Sequence, residues 1–394
     1  MNSTEATKII ESLRQGIPPE GSITEFTVGR KEEIGELHDI LLKKEGKALL
    51  LRANYGSGKT HLLKLIREMA LSSGYAVSLI TLDAKSAVRF NRMDQIFGQV
   101  CRQLEMPGKT RKSIRNLFDS ISSACSHPKS KFSDEIVNLT NGGKWDYSRY
   151  LNSPALYVAV RAWCFGNEQT KDLIEDWLFQ PWEYKSQRKH LYLSLVESMR
   201  RHFRDPRAEW QFYADKTCDF SDQGYRQSWD ALNDLDKLTK VAGYNGLILL
   251  VDEFEDVIHN LGNIKYQESA FWNLFQFFGG NYCNNSFFAV TPDFSEKCKA
   301  LLLTKDRFDY DYSRFDDLKT FELSPLSENE MYSLSQKIIS SHSKAYSWKV
   351  PNDLDNHIRI ICKNGMKIPV QDRVRQTIKE TVNLLDSSMG EFCD

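Results

Sequence analysis

The chain has 394 residues, of which 41% are hydrophobic and 27% charged, with a formal net charge of −1. That length and apolar content support a large core and two or three domains, and they exclude a disordered polypeptide. Near-neutrality gives no global argument for nucleic acid or an anionic membrane as partner, although a local basic patch stays open.

The 8 cysteines are scattered and none sits at C-x-x-C spacing, so they read as reduced thiols rather than zinc ligands. Residues 1–16 mix charges at helical spacing without an apolar h-region. No run approaches the ~18 apolar residues of a membrane span. The expectation is a cytoplasmic protein with no membrane partner.

In chain order, a helix over Thr4–Gln15 carries Ile9, Ile10 and Leu13 on one face and stops at Gly16 and Pro18-Pro19. A second helix follows Val28-Gly29-Arg30 and runs to Leu42. Gly46 breaks it. Ala48–Leu51 is a wholly apolar strand, as expected in a parallel sheet buried on both faces. A glycine-rich loop, a helix from Lys59 to Ser72 and an alternating strand over Tyr75–Leu82 come next.

Residues 91–241 read as a helical insertion with no strong strand signal. Its tryptophans, Trp145, Trp163, Trp177, Trp182, Trp210 and Trp229, read as core anchors rather than a ligand cage. The buried-strand pattern returns at Leu247–Val251, Ser286–Val290 and Leu318–Leu323. Ser327 with Glu330 then forms a capping box that opens a small helical region to about Leu385. The expected fold class is α/β: a doubly wound parallel sheet with a long helical insertion and a C-terminal helical lid. The expected divisions are 1–90, 91–241, 242–323 and 324–394.

The segment Ala53–Thr60 matches the phosphate-loop pattern G-x-x-x-x-G-K-[ST] except at its first position, where Ala53 replaces glycine. Gly56 and Gly58 let the backbone wrap a phosphate, and the amides up to Thr60 form an anion nest at a helix N-terminus. On this reading Asn54, Tyr55, Gly56, Ser57, Gly58, Lys59, Thr60 and His61 contact the nucleotide. Lys59 bridges the β- and γ-phosphates, and Thr60 ligates Mg²⁺.

The strand Leu247–Val251 ends in Asp252-Glu253, the natural partner of such a loop. Asp252 holds the metal's water shell, and Glu253 orients and deprotonates the attacking water. Glu255 and Asp256 continue the acidic run and read as solvated. Thr291 reads either as a γ-phosphate sensor or as a strand-terminating Thr-Pro turn. Arg307 and Arg314 read either as a finger reaching a neighbouring subunit's γ-phosphate or as surface arginines. Arg373 and Arg375 are candidates for a phosphate contact from the lid. Basic runs at Lys109–Lys112, Lys185–Lys189 and Arg200–Arg207 are solvated helix faces or, as the minority reading, a DNA-binding surface.

Several segments carry a family resemblance. These are Ile9–Pro19, Val28-Gly29-Arg30, Tyr55–Thr60, Leu250–Glu253 and Thr291-Pro292. Together they resemble the BrxD-like ATP-binding proteins of bacterial BREX phage-defence systems, and more widely the AAA+ ATPases of the origin-recognition and Cdc6 branch. The resemblance implies that Val28, Gly29 and Arg30 contact the adenine side. It also implies ATP and Mg as cofactors, other defence-system proteins and DNA as partners, and a homo-oligomer. Two positions depart from the pattern: Val290 stands where a glycine is frequent, and Val370 where the lid arginine is frequent, so Arg373 or Arg375 takes that place. The function expected is an ATPase subunit of a multi-gene antiphage system acting on or around DNA. The alternative is a nucleotide-gated oligomerisation switch or scaffold with slow turnover.

Overall fold

Alternation along the apolar runs builds one sheet with a core on each face. In the computed structural model, residues 2–19, 21–43, 46–54, 56–83, 88–125, 151–181 and 219–393 are described. Six strands, β1 (Ala48–Arg52), β2 (Ala76–Thr81), β3 (Leu104–Glu105), β4 (Leu247–Asp252), β5 (Ser286–Val290) and β6 (Thr320–Glu322), lie in the order β3-β2-β4-β5-β1-β6. All pairings are parallel except β2 with β3. The fold is therefore a mixed α/β architecture around a mostly parallel sheet.

Successive side chains of a strand point to opposite faces, and the two cores divide by parity. Leu49, Leu51, Ile248, Leu250, Phe287 and Ala289 share one cluster. Leu50, Leu249, Val251, Phe288 and Val290 belong to the other. The register aligns Leu49 with Phe287 and Leu250 with Phe287, so β5 sits between β1 and β4. β4 and β5 are buried along their whole length, which is why they read as apolar runs broken only at Asp252 and Ser286.

Helix α1 (Ser3–Arg14) starts at Asn2 with a capping box closed by Glu5. Helices α2 (Lys31–Lys43) and α3 (Lys59–Ser72) flank β1. The second core face is covered by α4 (Met93–Arg102), α5 (Arg115–Cys125), α6 (Pro154–Phe165), α7 (Glu168–Phe179), α8 (Arg226–Val241) and α9 (Ile264–Phe278). Helix α10 (Phe294–Thr304) follows β5. Three C-terminal helices, α11 (Glu328–Tyr346), α12 (Leu354–Gly365) and α13 (Val370–Cys393), pack together, and the Ser327–Glu330 capping box opens α11.

Trp163, Trp177 and Trp229 are buried in the core. Trp145, Trp182, Trp210 and the basic runs Lys185–Lys189 and Arg200–Arg207 lie outside the described residues. The insertion does hold a strand: β3 pairs Leu104 with Ser78 and Glu105 with Val77. It is only two residues long, too short for alternation to register in the sequence. In the run Lys109–Lys112, Arg111 pairs with Glu175 and Lys112 with Glu105, each at 3.1 Å.

The N-terminal helix packs far from its sequence neighbours. Ala6, Ile9, Ile10 and Leu13 form a separate core with Leu334, Ile338, Val382 and Leu385 of α11 and α13. Arg14 closes that junction with a two-pronged ion pair to Asp386 at 2.9 Å. His342 Nε2 lies 3.0 Å from the same carboxylate, and its Nδ1 accepts from Trp348 Nε1 at 2.9 Å.

Candidate functional site

The loop after β1 leaves the sheet as a continuation of the strand. Ala53 is 2% exposed, and its N–H donates to the Val290 carbonyl at 3.1 Å. Its φ is not positive, so alanine is accommodated where the pattern carries glycine. The turn itself falls at Gly56 (φ 70°) and Gly58 (φ 101°), where the left-handed backbone favours glycine. Gly58 caps α3, so the loop amides stand at the N-terminus of a helix of 14 residues. Ser57 ties the loop by donating from both N–H and Oγ to the Asn54 carbonyl.

A cavity of about 430 Å³ opens at this point. Its polar end holds Gly56, Ser57, Gly58, Lys59, Thr60, His61, Asp252, Glu253 and Glu255. Its apolar end is built by Ile17, Pro18, Val28, Leu326, Val374 and Ile378, contributed by both ends of the chain. The crevice lies outside the carboxyl ends of the parallel strands.

Thr60 Oγ1 donates to Asp252 Oδ2 at 2.9 Å, tying the start of α3 to the end of β4. Burial raises the Asp252 carboxyl, partly offset by the Thr60 hydroxyl. Glu253 lines the cavity and has φ 54°, a left-handed conformation uncommon for a side-chain-bearing residue. Partial desolvation and the neighbouring carboxylates of Asp252, Asp256, Asp83 and Glu255 raise its pKa. The left-handed kink leads into a short turn over Phe254–Asp256. Phe254 pins that turn by packing on Phe90, Phe288 and Phe294.

The turn overturns one expectation. Glu255 is not solvated: it is 5% exposed and its Oε1 lies 3.0 Å from Lys59 Nζ. With Phe254 anchored inside the core, the next side chain is carried into the cavity instead of toward solvent. Asp256 is half-buried.

Thr27 Oγ1 donates to the Ile23 carbonyl at 2.8 Å, so it accepts from His61 Nε2, also at 2.8 Å. Burial and the cations of Arg30, Lys64 and Lys337 lower His61 to about 4. Val28 and Arg30 line the cavity, and Arg30 is buried against Glu33 at 3.0 Å. Gly29 (φ 65°) lies directly against the Glu330 side chain.

Of the remaining candidates only Arg375 lines the cavity. Asn54 is exposed and outside the lining, and Tyr55 lies outside the described residues. Thr291 is buried at the end of β5 and does not reach the cavity wall. Arg314 lies over the Phe275 ring, 4.2 Å from its centroid, and Arg307 pairs with Glu268 at 2.8 Å. Arg373 turns back onto the carbonyls of Met366 and Ile368, whereas Arg375, two residues on, lines the cavity. Gln371, at the start of α13, places its backbone carbonyl against Gly56. No sequence signal marks Gln371, because its contact with the loop spans more than 300 residues of chain.

Among the described residues no helix is long and apolar enough to cross a membrane, and no group of three or more His, Cys, Asp or Glu side chains is arranged to hold a metal. Neither the curated proteins nor the solved structures give a match. The family described as BREX system ATP-binding protein BrxC/D matches residues 1–130 and 222–389, leaving only the middle of the 91–241 insertion unmatched. The matched segments contain the loop, the acidic strand end and the C-terminal helices that together form the cavity, and the chain belongs to this family of BREX ATP-binding proteins.

Proposed function

We propose that the chain is a P-loop ATPase of the AAA+ kind, and that the cavity described above is where it binds and hydrolyses ATP. The observation that carries this reading is the meeting of Lys59, Thr60, Asp252 and Glu253, distant in sequence, in one cavity at the carboxyl end of the sheet. The amides of residues 56–60 and the Lys59 ammonium receive the phosphates. The apolar end, with Val28 and its neighbours, receives the base.

Thr60 Oγ1 and Asp252 Oδ2, already 2.9 Å apart, are both oxygen donors of the kind that suits magnesium. Two such ligands suit an ion that keeps several waters, and no larger cluster of protein ligands is needed. When bound, the ion supplies charge neutralisation on the phosphate oxygens. Glu253 takes the proton of the attacking water. Its raised pKa makes it a better base than an ordinary carboxylate. Arg375 faces the same cavity from α13 and is the lid candidate that the geometry favours over Arg373. Arg314 as a finger acts only across a contact between copies of the chain.

Lys59→Ala is expected to abolish ATP binding in calorimetric titration. Glu253→Gln is expected to keep binding and to lower phosphate release by about 100-fold or more. Equal hydrolysis by Glu253→Gln and wild type removes Glu253 from this role. Within a BREX system the turnover is coupled to DNA, so duplex DNA is expected to raise the wild-type rate. A rate indifferent to DNA, with a nucleotide-dependent change in molecular mass, selects the gated scaffold instead.

A further inference from the structure

The carboxylate of Glu255 has no role in the reading above, yet it is an ion-pair partner of the lysine on which that reading depends. It is buried, its Oε1 pairs with Lys59 Nζ at 3.0 Å, and its Oε2 is buried without a hydrogen-bond partner. Both side chains line the cavity beside Asp252 and Glu253. The turn that carries Glu255 is held in place, since Phe254 packs 4.7 Å from Phe90 and 5.1 Å from Phe288 between ring centroids.

We infer that Glu255 is a positioning residue acting through Lys59: it holds the ammonium at the anion end of the cavity and is the charge that a nucleotide's phosphates must displace, so it sets nucleotide affinity and release. This rests on the proposed ATP site. Two terms give the effect its sign. A carboxylate deprived of its counter-ion inside the protein is left uncompensated. It also faces the incoming phosphate charge across a short, poorly screened distance. Both terms oppose binding, and both vanish when the side chain keeps its shape but loses its charge. A residue that only stabilised the fold would weaken nucleotide binding when altered, whereas this one tightens it.

The test uses the full chain with Glu255→Gln and Glu255→Asp, titrated with ADP and with ATP in the presence of magnesium. Glu255→Gln is expected to lower both dissociation constants about tenfold and to slow ADP release in stopped-flow measurements by a similar factor. Glu255→Asp, whose shortened carboxylate is drawn off Lys59, is expected to fall between, at about threefold, and it carries the test if the glutamine variant does not fold. Unchanged or weaker affinity in a variant that melts like wild type overturns the inference. Lys59→Ala separates the two levels: if it leaves nucleotide binding intact, the ATP-site reading fails. If it abolishes binding while neither Glu255 variant tightens it, only the inference fails.

Discussion

Gly56 and Gly29 share a positive φ, 70° and 65°, yet a side chain would meet different neighbours at each. A Cβ at Gly56 would come within 1.5 Å of the Gln371 carbonyl oxygen, a backbone atom that moves only if the start of α13 moves. At Gly29 it would meet Glu330 Oε1 at 1.9 Å, the end of a side chain that can rotate away by giving up its capping box with Ser327. Gly29→Ala is therefore expected to cost about 1–2 kcal/mol, the sum of a left-handed alanine and a weakened cap. Gly56→Ala is expected to cost on the order of 3–4 kcal/mol. Urea unfolding of the two variants checks the ranking, and equal costs would refute it. Ala53 makes the complementary point. Its N–H still bonds β5 and its φ is not positive, so the residue type follows from the local conformation rather than from its place in a motif.

At the scale of elements, the junction between α8 and α6 carries a charge with a measurable pH signature. Asp234 on α8 is fully buried and accepts from the Ser153 N–H at 2.6 Å, at the N-cap of α6. Burial raises its carboxyl to about 6, with Ser153 and Lys237 only partly offsetting it. The folded chain therefore holds this proton more tightly than the unfolded chain, whose pKa is 3.8. The contribution is fully present below pH 3.8 and is lost as pH rises through 6, to a total of about 3 kcal/mol. Asp234→Asn keeps the acceptor and removes the titration. Unfolding free energies from pH 4 to pH 6 are expected to fall in wild type relative to Asp234→Asn, and parallel curves would count against a raised Asp234.

The α1 junction shows the opposite sign. Burial alone would raise Asp386, but Arg14 and His342 outweigh it and lower the carboxyl. This pairing contributes stability above the ordinary carboxylate range, which is lost as pH falls through the depressed value. It fastens the first helix of the chain to the last.

For the whole molecule, the consequence of that fastening is that one cavity is lined from both ends of the chain, from Leu13 to Ile378. A ligand bound there contacts both outer layers as well as the sheet and stabilises them together. At 100 times its dissociation constant, ATP is expected to add about 2.7 kcal/mol to unfolding stability in wild type and nothing in Lys59→Ala. Differential scanning calorimetry with and without nucleotide measures this, and an equal shift in both proteins would place the ligand outside the cavity.

Local chemistry was readable in the order of residues. The buried strands over 48–51, 247–251 and 286–290 announced themselves because a parallel strand covered on both faces is almost wholly apolar. The turn at Gly56–Gly58 was marked by glycine's ready tolerance of positive φ, and the start of α11 by the spacing of Ser327 and Glu330. The family resemblance, too, rested on such short segments.

What the tertiary structure decided were relations between segments, which no local period encodes. The strand order β3-β2-β4-β5-β1-β6, with β4 and β1 both parallel to β5, brings residues 52 and 252 to the same carboxyl end of the sheet. The docking of α1 on α11 and α13 depends on apolar faces more than 300 residues apart. Glu255 reads as a solvated acid in a run of acids. It becomes the counter-ion of Lys59 only because Phe254 is drawn into the core and the backbone kinks at Glu253. A charged side chain's neighbours are set by the packing of the apolar residue beside it, and that packing exists only once the chain has folded.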